Sequence, residues 1–236
     1  MYRAVKSVAR GALLGCESAA AESYIPFLSF SDNRYNVNYR IGHPVPLYAF
    51  LFHRYLNNFN GNQVCSQYNF DHTTFPDSLL LRTAHGFIAG DMLTLVINDT
   101  GDVTYNWGLR EPTLPDQALA KTLVRRLNAW RKKYPRYLHT GDMVKPYPVL
   151  SDKNTLYHAV EKKYSETDRV YTSAWMDGEG KRGQFLVNYN STPSVCTVIL
   201  PEGCYTLTDD DGETRSLTGG SHTLTLPPVS TVLIEG

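Results

Sequence analysis

A chain of 236 residues is long enough to bury a core without disulfide or metal staples, and it suits one large domain or two ordinary ones. Lys plus Arg (23) balance Asp plus Glu (23), so no net field draws in nucleic acid or an acidic membrane surface, and the expected ligand is neutral or small. The 16 tyrosines suit contact with sugars through a flat face and a terminal hydroxyl, although tyrosine serves equally well as strand filler.

Tyr2, Val5, Val8, Ala9 and Ala12 recur at helical spacing with Arg3, Lys6 and Arg10 between them, so the chain opens in an amphipathic helix. After Gly11, the run Leu13-Leu14-Gly15-Cys16 reads as a short buried strand ending at Glu17, which puts a carboxylate where a barrel strand meets its following loop. Glu22 offers a second carboxylate five residues on. An extended path would hold the two about 16 Å apart, too far for joint chemistry unless the loop folds back. Residues 18–45 form a long loop of interleaved aromatic and polar residues, including Asp32, as expected of a segment that lines a site. Pro46 to His53 is almost unbroken in apolar character and predicts a second doubly covered parallel strand, with His53, Arg54 and Tyr55 at its polar end.

Pro76-Asp77 predicts a helix start, with Leu79, Leu80, Thr83, Ala84 and Phe87 on one side and Gly90 ending it. Met92 to Ile97 fits either helix continuation or a short strand. Pro115 and Asp116 suit the first turn of the next helix, whose stripe is Leu119, Leu123, Leu127, Trp130 and Tyr134 and whose basic last turn stops before Pro135. Gly and Pro at 141–153 predict a linker between residues 1–140 and 154–236. Beyond it, Leu156, Tyr157, Val160 and Tyr164 fit a short helix, a strand being the alternative. From Arg169 closely spaced strands follow, Val170–Met176, Gln184–Tyr189, Val195–Leu200, Tyr205–Thr208, Thr223–Leu226 and Val229–Ile234, separated by turn chemistry. That is an antiparallel β-sandwich after an α/β segment.

Cys16, Cys65, Cys196 and Cys204 show no CxxC spacing, so neither zinc nor a redox motif is expected, no cofactor is implied, and Cys196 and Cys204, which flank Pro201-Glu202-Gly203, are read as buried free thiols, with facing positions across a hairpin as the alternative. Asp177 with Glu179, and Asp209 to Asp211, sit beside Gly and are read as turn formers rather than calcium ligands. No apolar run reaches the roughly twenty residues of a membrane span, and residues 1–6 lack a signal-peptide layout, so the chain as written is expected in the cytoplasm, a longer parent being compatible with the periplasm or secretion.

Glu17-Ser18-Ala19-Ala20-Ala21-Glu22-Ser23-Tyr24-Ile25, Val45-Pro46-Leu47-Tyr48 with His53 and Tyr55, and Ser173-Ala174-Trp175 with Val187-Asn188 together resemble the carboxyl-terminal part of an uncharacterised bacterial family of TIM-barrel glycoside hydrolases, catalogued as a domain of unknown function. The resemblance rests on the order and spacing of these motifs through most of the chain. It implies a partial (β/α) barrel, the last strands and helices only, over 1–140, and a small sandwich over 154–236. It also implies that Glu17 matches an active-site acid, that the substrate is a carbohydrate, and that the missing barrel strands come from elsewhere, possible partners including another chain.

Glycoside cleavage uses two carboxyl groups, roughly 5 Å apart for retention and roughly 6.5 to 9.5 Å for inversion. Besides Glu17 and Glu22, Asp32 and Asp91 are the candidates for the second. Asp32, Tyr48, His53, Tyr55 and Trp107 are the candidate sugar contacts, weighed against ordinary core roles. A complete barrel takes about 250 residues, so a chain with two expected parallel strands is read as a fragment inactive alone. A carbohydrate-binding protein without catalysis, or a structural module capping a barrel, are the alternatives from other classes.

Overall fold

The computed structural model describes residues 2–17, 22–32, 46–59, 78–104, 117–158 and 162–236. Helix α1 spans Tyr2–Val8 and buries no residue. The ammonium of Lys6 donates to the carbonyls of Arg10 (3.2 Å) and Ala12 (2.6 Å), satisfying acceptors left open past the helix end. Strand β1, Gly15–Glu17, then pairs parallel with β2, Phe30–Asp32, across a 3₁₀ segment at Glu22–Phe27. Gly15 lets the Phe30 ring lie against the strand: a Cβ there would fall 2.0 Å from that ring and force it to move.

The run expected to be a second barrel strand is instead helix α2, Leu47–Phe52. Its exposure shows why: Leu47, Phe50 and Leu51 face outward while Ala49 is buried, a helical rather than a two-sided pattern. Six apolar residues in a row carry no readable period, so length and flanks had to arbitrate, and Pro46 is as much a helix start as a strand start. The parallel neighbour of β2 is β3, Asn57–Asn58, and Phe59 bridges on to Met92, again parallel. Parallel segments thus lie side by side in chain order.

Helix α3, Ser78–Ile88, is buried along its described length between a second helix and a sheet. Strands β4 (Val96–Ile97) and β5 (Val103–Thr104) form a small hairpin, so the ambiguous 92–97 segment ends as strand. Helix α4, Gln117–Lys133, buries Ala120, Leu123, Leu127 and Trp130 as its stripe predicts, and α5, Pro135–Leu138, follows at once.

The rest is antiparallel sheet. Strands β6 (Asp142–Val144) and β7 (Val149–Ser151), both inside the stretch read as a linker, pair with residues 174–176 and 196–198 respectively; β8 (Lys153–His158) and β9 (Lys163–Asp168) pair with each other, so strand stands where a short helix was the first expectation. Strands β10 (Val170–Met176), β11 (Arg182–Asn188), β12 (Ser194–Thr208), β13 (Thr214–Leu226) and β14 (Ser230–Glu235) complete a sheet ordered β13-β12-β14-β11-β10-β6.

Strand β12 is continuous where two strands and a turn were expected. Pro201-Glu202-Gly203 is a bulge within it, the register slipping between Leu200 and Cys204 opposite Gly219-Gly220. A Cβ at Gly219 would lie 2.4 Å from the Pro201 carbonyl oxygen, so the two irregularities fit each other and bend the ribbon. The first half of β12 then pairs with β7 and the second with β14. Cys196 and Cys204, both free, therefore sit on one strand, and Cys204 is exposed rather than buried.

The central strands are covered on both faces. Tyr171, Trp175, Phe185, Val187 and Leu233 join α3 and α4 in one core, while Val170, Leu186, Val232 and Ile234 join Cys196, Val198, Leu207 and Leu224 in another. The architecture is mixed helix and sheet with antiparallel sheets, compatible with an α/β segment plus a β-sandwich. No helix among the described residues is long and apolar enough to cross a membrane.

Candidate functional site

Glu17 and Asp32 end adjacent parallel strands and are register partners. Neighbouring strands lie about 4.8 Å apart, so two carboxylate-bearing positions start from a backbone spacing within reach of either carboxyl geometry used on glycosides. Glu22 opens the 3₁₀ segment that connects the two strands.

Next to Asp32 in sequence, Ser31 starts a chain of side-chain hydrogen bonds. Ser31, fully buried beside Asp32, donates from Oγ to Asn58 Oδ1 at 2.9 Å and lies 3.5 Å from the Tyr48 hydroxyl. Asn58 Nδ2 donates to Asp91 Oδ1 at 3.0 Å. The backbone repeats the path, with Phe59 N–H donating to the Ser31 carbonyl (2.9 Å) and Met92 N–H to that of Asn58 (2.7 Å). Asp91 is 1% exposed, so it is a buried support rather than a group at a cleft mouth. Arg131 of α4 donates to the Gly90 carbonyl at 2.6 Å; burial lowers its pKa to about 10, and the charge of Asp91 works the other way.

Gly90 has φ +77°, and a Cβ there would meet His53 Cε1 at 2.5 Å and the Trp175 ring at 2.8 Å. His53 packs 4.7 Å from Trp175, centroid to centroid. Its pKa falls to about 4, through burial first and then the charges of Arg131 and His139, a bond to the Leu138 backbone opposing them. His53 is accordingly neutral near pH 7. With Arg54, Tyr55, Gly141 and Asp142 it lines a small pocket of about 130 Å³, across which Arg54 and Asp142 pair at 3.0 Å. Tyr55 also lines an apolar cleft of about 390 Å³ with Ile25, Pro26, Leu28, Leu51 and Phe52.

The structure thus brings Glu17 and Asp32 together along the backbone, sets Tyr48 against Ser31, and gathers His53 and Tyr55 at a different pocket. Trp107 lies outside the described residues. Sequence reasoning missed Ser31 and Asn58; the only available signal was a run of polar residues flanking Asp32 and following Tyr55, which marks loops as readily as strand tips.

A larger cleft, about 500 Å³, opens beside Arg126, Asp209 to Asp211, Glu213 and Arg215. Asp210 is committed there to structure, accepting from Trp130 Nε1 at 2.6 Å and Thr231 N–H at 3.1 Å; burial raises its pKa against those bonds and Arg126. Asp209 Oδ1 accepts the Asp211 and Glu213 amides, and Asp177 Oδ1 those of Glu179 and Lys181, so each closes its own turn. No cluster of three or more His, Cys, Asp or Glu suited to a metal occurs among the described residues.

The chain is similar in fold to solved structures of carbohydrate-active enzymes, one of which bears on its fold class. An α-amylase from Geobacillus thermoleovorans, solved with acarbose, aligns with 99% of this chain and 55% of its own at 14% identity and a TM-score of 0.50. A maltogenic α-amylase, AmyB, from Thermotoga neapolitana aligns with 100% of this chain and 57% of its own, at 10% identity and a TM-score of 0.49, and an Anoxybacillus α-amylase with 100% and 54%, at 15% and 0.47. The first comparison makes the fold glycoside hydrolase-like, and at that identity it bears on fold alone. The chain spans little more than half the length of these enzymes. No family model matches the chain, and no curated protein does.

Proposed function

We propose that this chain is part of a glycoside hydrolase that cleaves O-glycosidic bonds of a neutral glycan by carboxylate acid/base catalysis. The observation that carries the reading is the register partnership of Glu17 and Asp32 at the ends of adjacent parallel strands. Glu17 acts as general acid or base and Asp32 as the second carboxylate, with Glu22, in the connecting 3₁₀ segment, as the alternative second group. Tyr48, next to Ser31, contacts the sugar at the same end, while His53 and Tyr55 contribute from a different pocket.

In this reading residues 1–140 are a partial (β/α) barrel, 141–153 join it to the sandwich, and 154–236 form the sandwich. Support for the barrel comes from parallel segments 15–17, 30–32, 57–59 and Met92 lying side by side in chain order. The remaining barrel strands come from further polypeptide, and full activity needs them. The exposed apolar residues Tyr24, Phe27, Leu47, Phe50 and Leu51 on the segments flanking these strands agree with such a contact.

The test is hydrolysis of a panel of neutral aryl glycosides and oligosaccharides by the full chain, with Glu17→Gln and Asp32→Asn beside it. Turnover that falls at least about 100-fold in both variants supports the assignment. Where turnover is nil, the reading still requires saturable oligosaccharide binding that Asp32→Asn weakens. Turnover indifferent to both changes, or neither turnover nor binding, overturns it.

A further inference from the structure

We infer that Ser31 and Asn58 are positioning residues for the Glu17/Asp32 pair, the near end of a buried polar relay that fixes the tip of β2. The inference rests on the reading of that pair as the reactive centre and extends it to groups that touch no substrate.

Strands β1, β2 and β3 are only three, three and two residues long. A ladder that short has few backbone bonds to define its register, and a slip of one residue would move Asp32 out of its partnership with Glu17 and onto the other face. Side-chain bonds that recognise one alignment only supply what the backbone lacks. Ser31 precedes Asp32 directly and is register partner of Asn58. Its hydroxyl donates to Asn58 Oδ1, and the Asn58 amide is thereby oriented with Nδ2 toward Asp91 Oδ1. A one-residue slip would break both bonds and strand buried polar groups, each worth about 1 to 3 kcal/mol when unsatisfied.

The far end of the relay is held by large elements. Asp91 follows Gly90, whose carbonyl accepts from Arg131 of α4 and whose Cα packs under His53 and Trp175 of β10. The short strands are thereby referenced to the main helix and the main sheet. This gives the sandwich a part in the site: it is the fixed body against which the Glu17 and Asp32 positions are set.

The experiment is a carbon-detected NMR titration of the Glu17 and Asp32 side-chain carboxyls in the full chain, which needs no substrate. In wild type the two are expected to titrate as a coupled pair, their apparent midpoints more than about one pH unit apart. Ser31→Ala and Asn58→Leu should cut that separation by about half or more, and Ser31→Thr, which keeps the hydroxyl, should restore it, while thermal unfolding stays cooperative in all three. Ser31→Ala removes a single atom and tests the relay even if Asn58→Leu fails to fold. A coupled wild type whose separation is unchanged in Ser31→Ala overturns the relay alone. Independent titration in wild type overturns the carboxylate pair and, with it, the positioning role.

Discussion

His85 makes acid lability a quantitative expectation. It lies in α3, 1% exposed, and its pKa falls from 6.5 to about 4 because burial disfavours the imidazolium and the Arg82 guanidinium repels it. The folded chain therefore refuses a proton that the unfolded chain accepts. The sign follows: above about pH 6.5 the group contributes no pH dependence, stability falls as pH drops from there toward 4, and below 4 the loss is complete. A difference of about 2.5 in pKa corresponds to roughly 3 kcal/mol at 1.36 kcal/mol for each pKa unit. His53, lowered to about 4 as well, acts in the same direction, as does Glu235 at lower pH, while Asp210, whose pKa is raised, acts against them. Replacing His85 with Gln isolates its share. Urea unfolding followed by tryptophan fluorescence at pH 7, 6, 5 and 4 should show wild type losing about 3 kcal/mol more than His85→Gln across that range. Stability curves for the two proteins that run parallel within about 0.5 kcal/mol would refute the assignment of the low pKa to burial of this ring.

Gly90→Ala places a Cβ in a left-handed backbone and against His53 and Trp175, so it should cost about 2 kcal/mol or more, read from the urea midpoint; a wild-type midpoint would mean that the two rings do not close over this glycine. Gly219→Ala drives a methyl into the Pro201 carbonyl and should loosen the β12–β13 ribbon at its bend, seen as faster amide exchange around Leu200 and Gly220 with a loss of about 1 to 3 kcal/mol. Trp130→Phe removes the indole donor to Asp210, which should raise that carboxyl's pKa further, measurable by carbon-detected titration; an unchanged value would mean that the bond contributes nothing to the anion.

How far the sequence could be read depended on element length and on whether a pattern was local. Helix α4 was legible because seventeen residues repeat its stripe and a proline stops it. Val170–Met176 was legible to the residue, bounded by Arg169 and by the Asp177 turn. The 201–203 and 219–220 stretches were misread as turns because bulges and turns draw on the same residues, and only the partner strand says which is formed. Helix α2 was misread because a six-residue apolar run cannot show a period, and β2 and β3 could not be read at all, since two or three residues cannot alternate. Glu17 was legible as a strand tip; its pairing with Asp32 was not, because register between short strands is set by side chains distant in sequence.

Two buried polar networks in this chain show how such groups divide between folding and function. In the sandwich, Asn188 Nδ2 donates one hydrogen to the Thr192 carbonyl and the other, shared, to those of Leu226 and Pro227, Asn190 Nδ2 donates to that of Arg169, and the Tyr189 hydroxyl to that of Asp168. Their acceptors are backbone carbonyls of turns and strand ends, so this network ties the backbone together where the strands stop. The Ser31–Asn58–Asp91 relay is different. It runs side chain to side chain across parallel strands whose backbones already bond one another, and apolar residues at those positions would often be no less stable. A polar chain retained where the backbone does not require it fixes an alignment, and the alignment it fixes ends at the two residues where carboxylate chemistry is proposed.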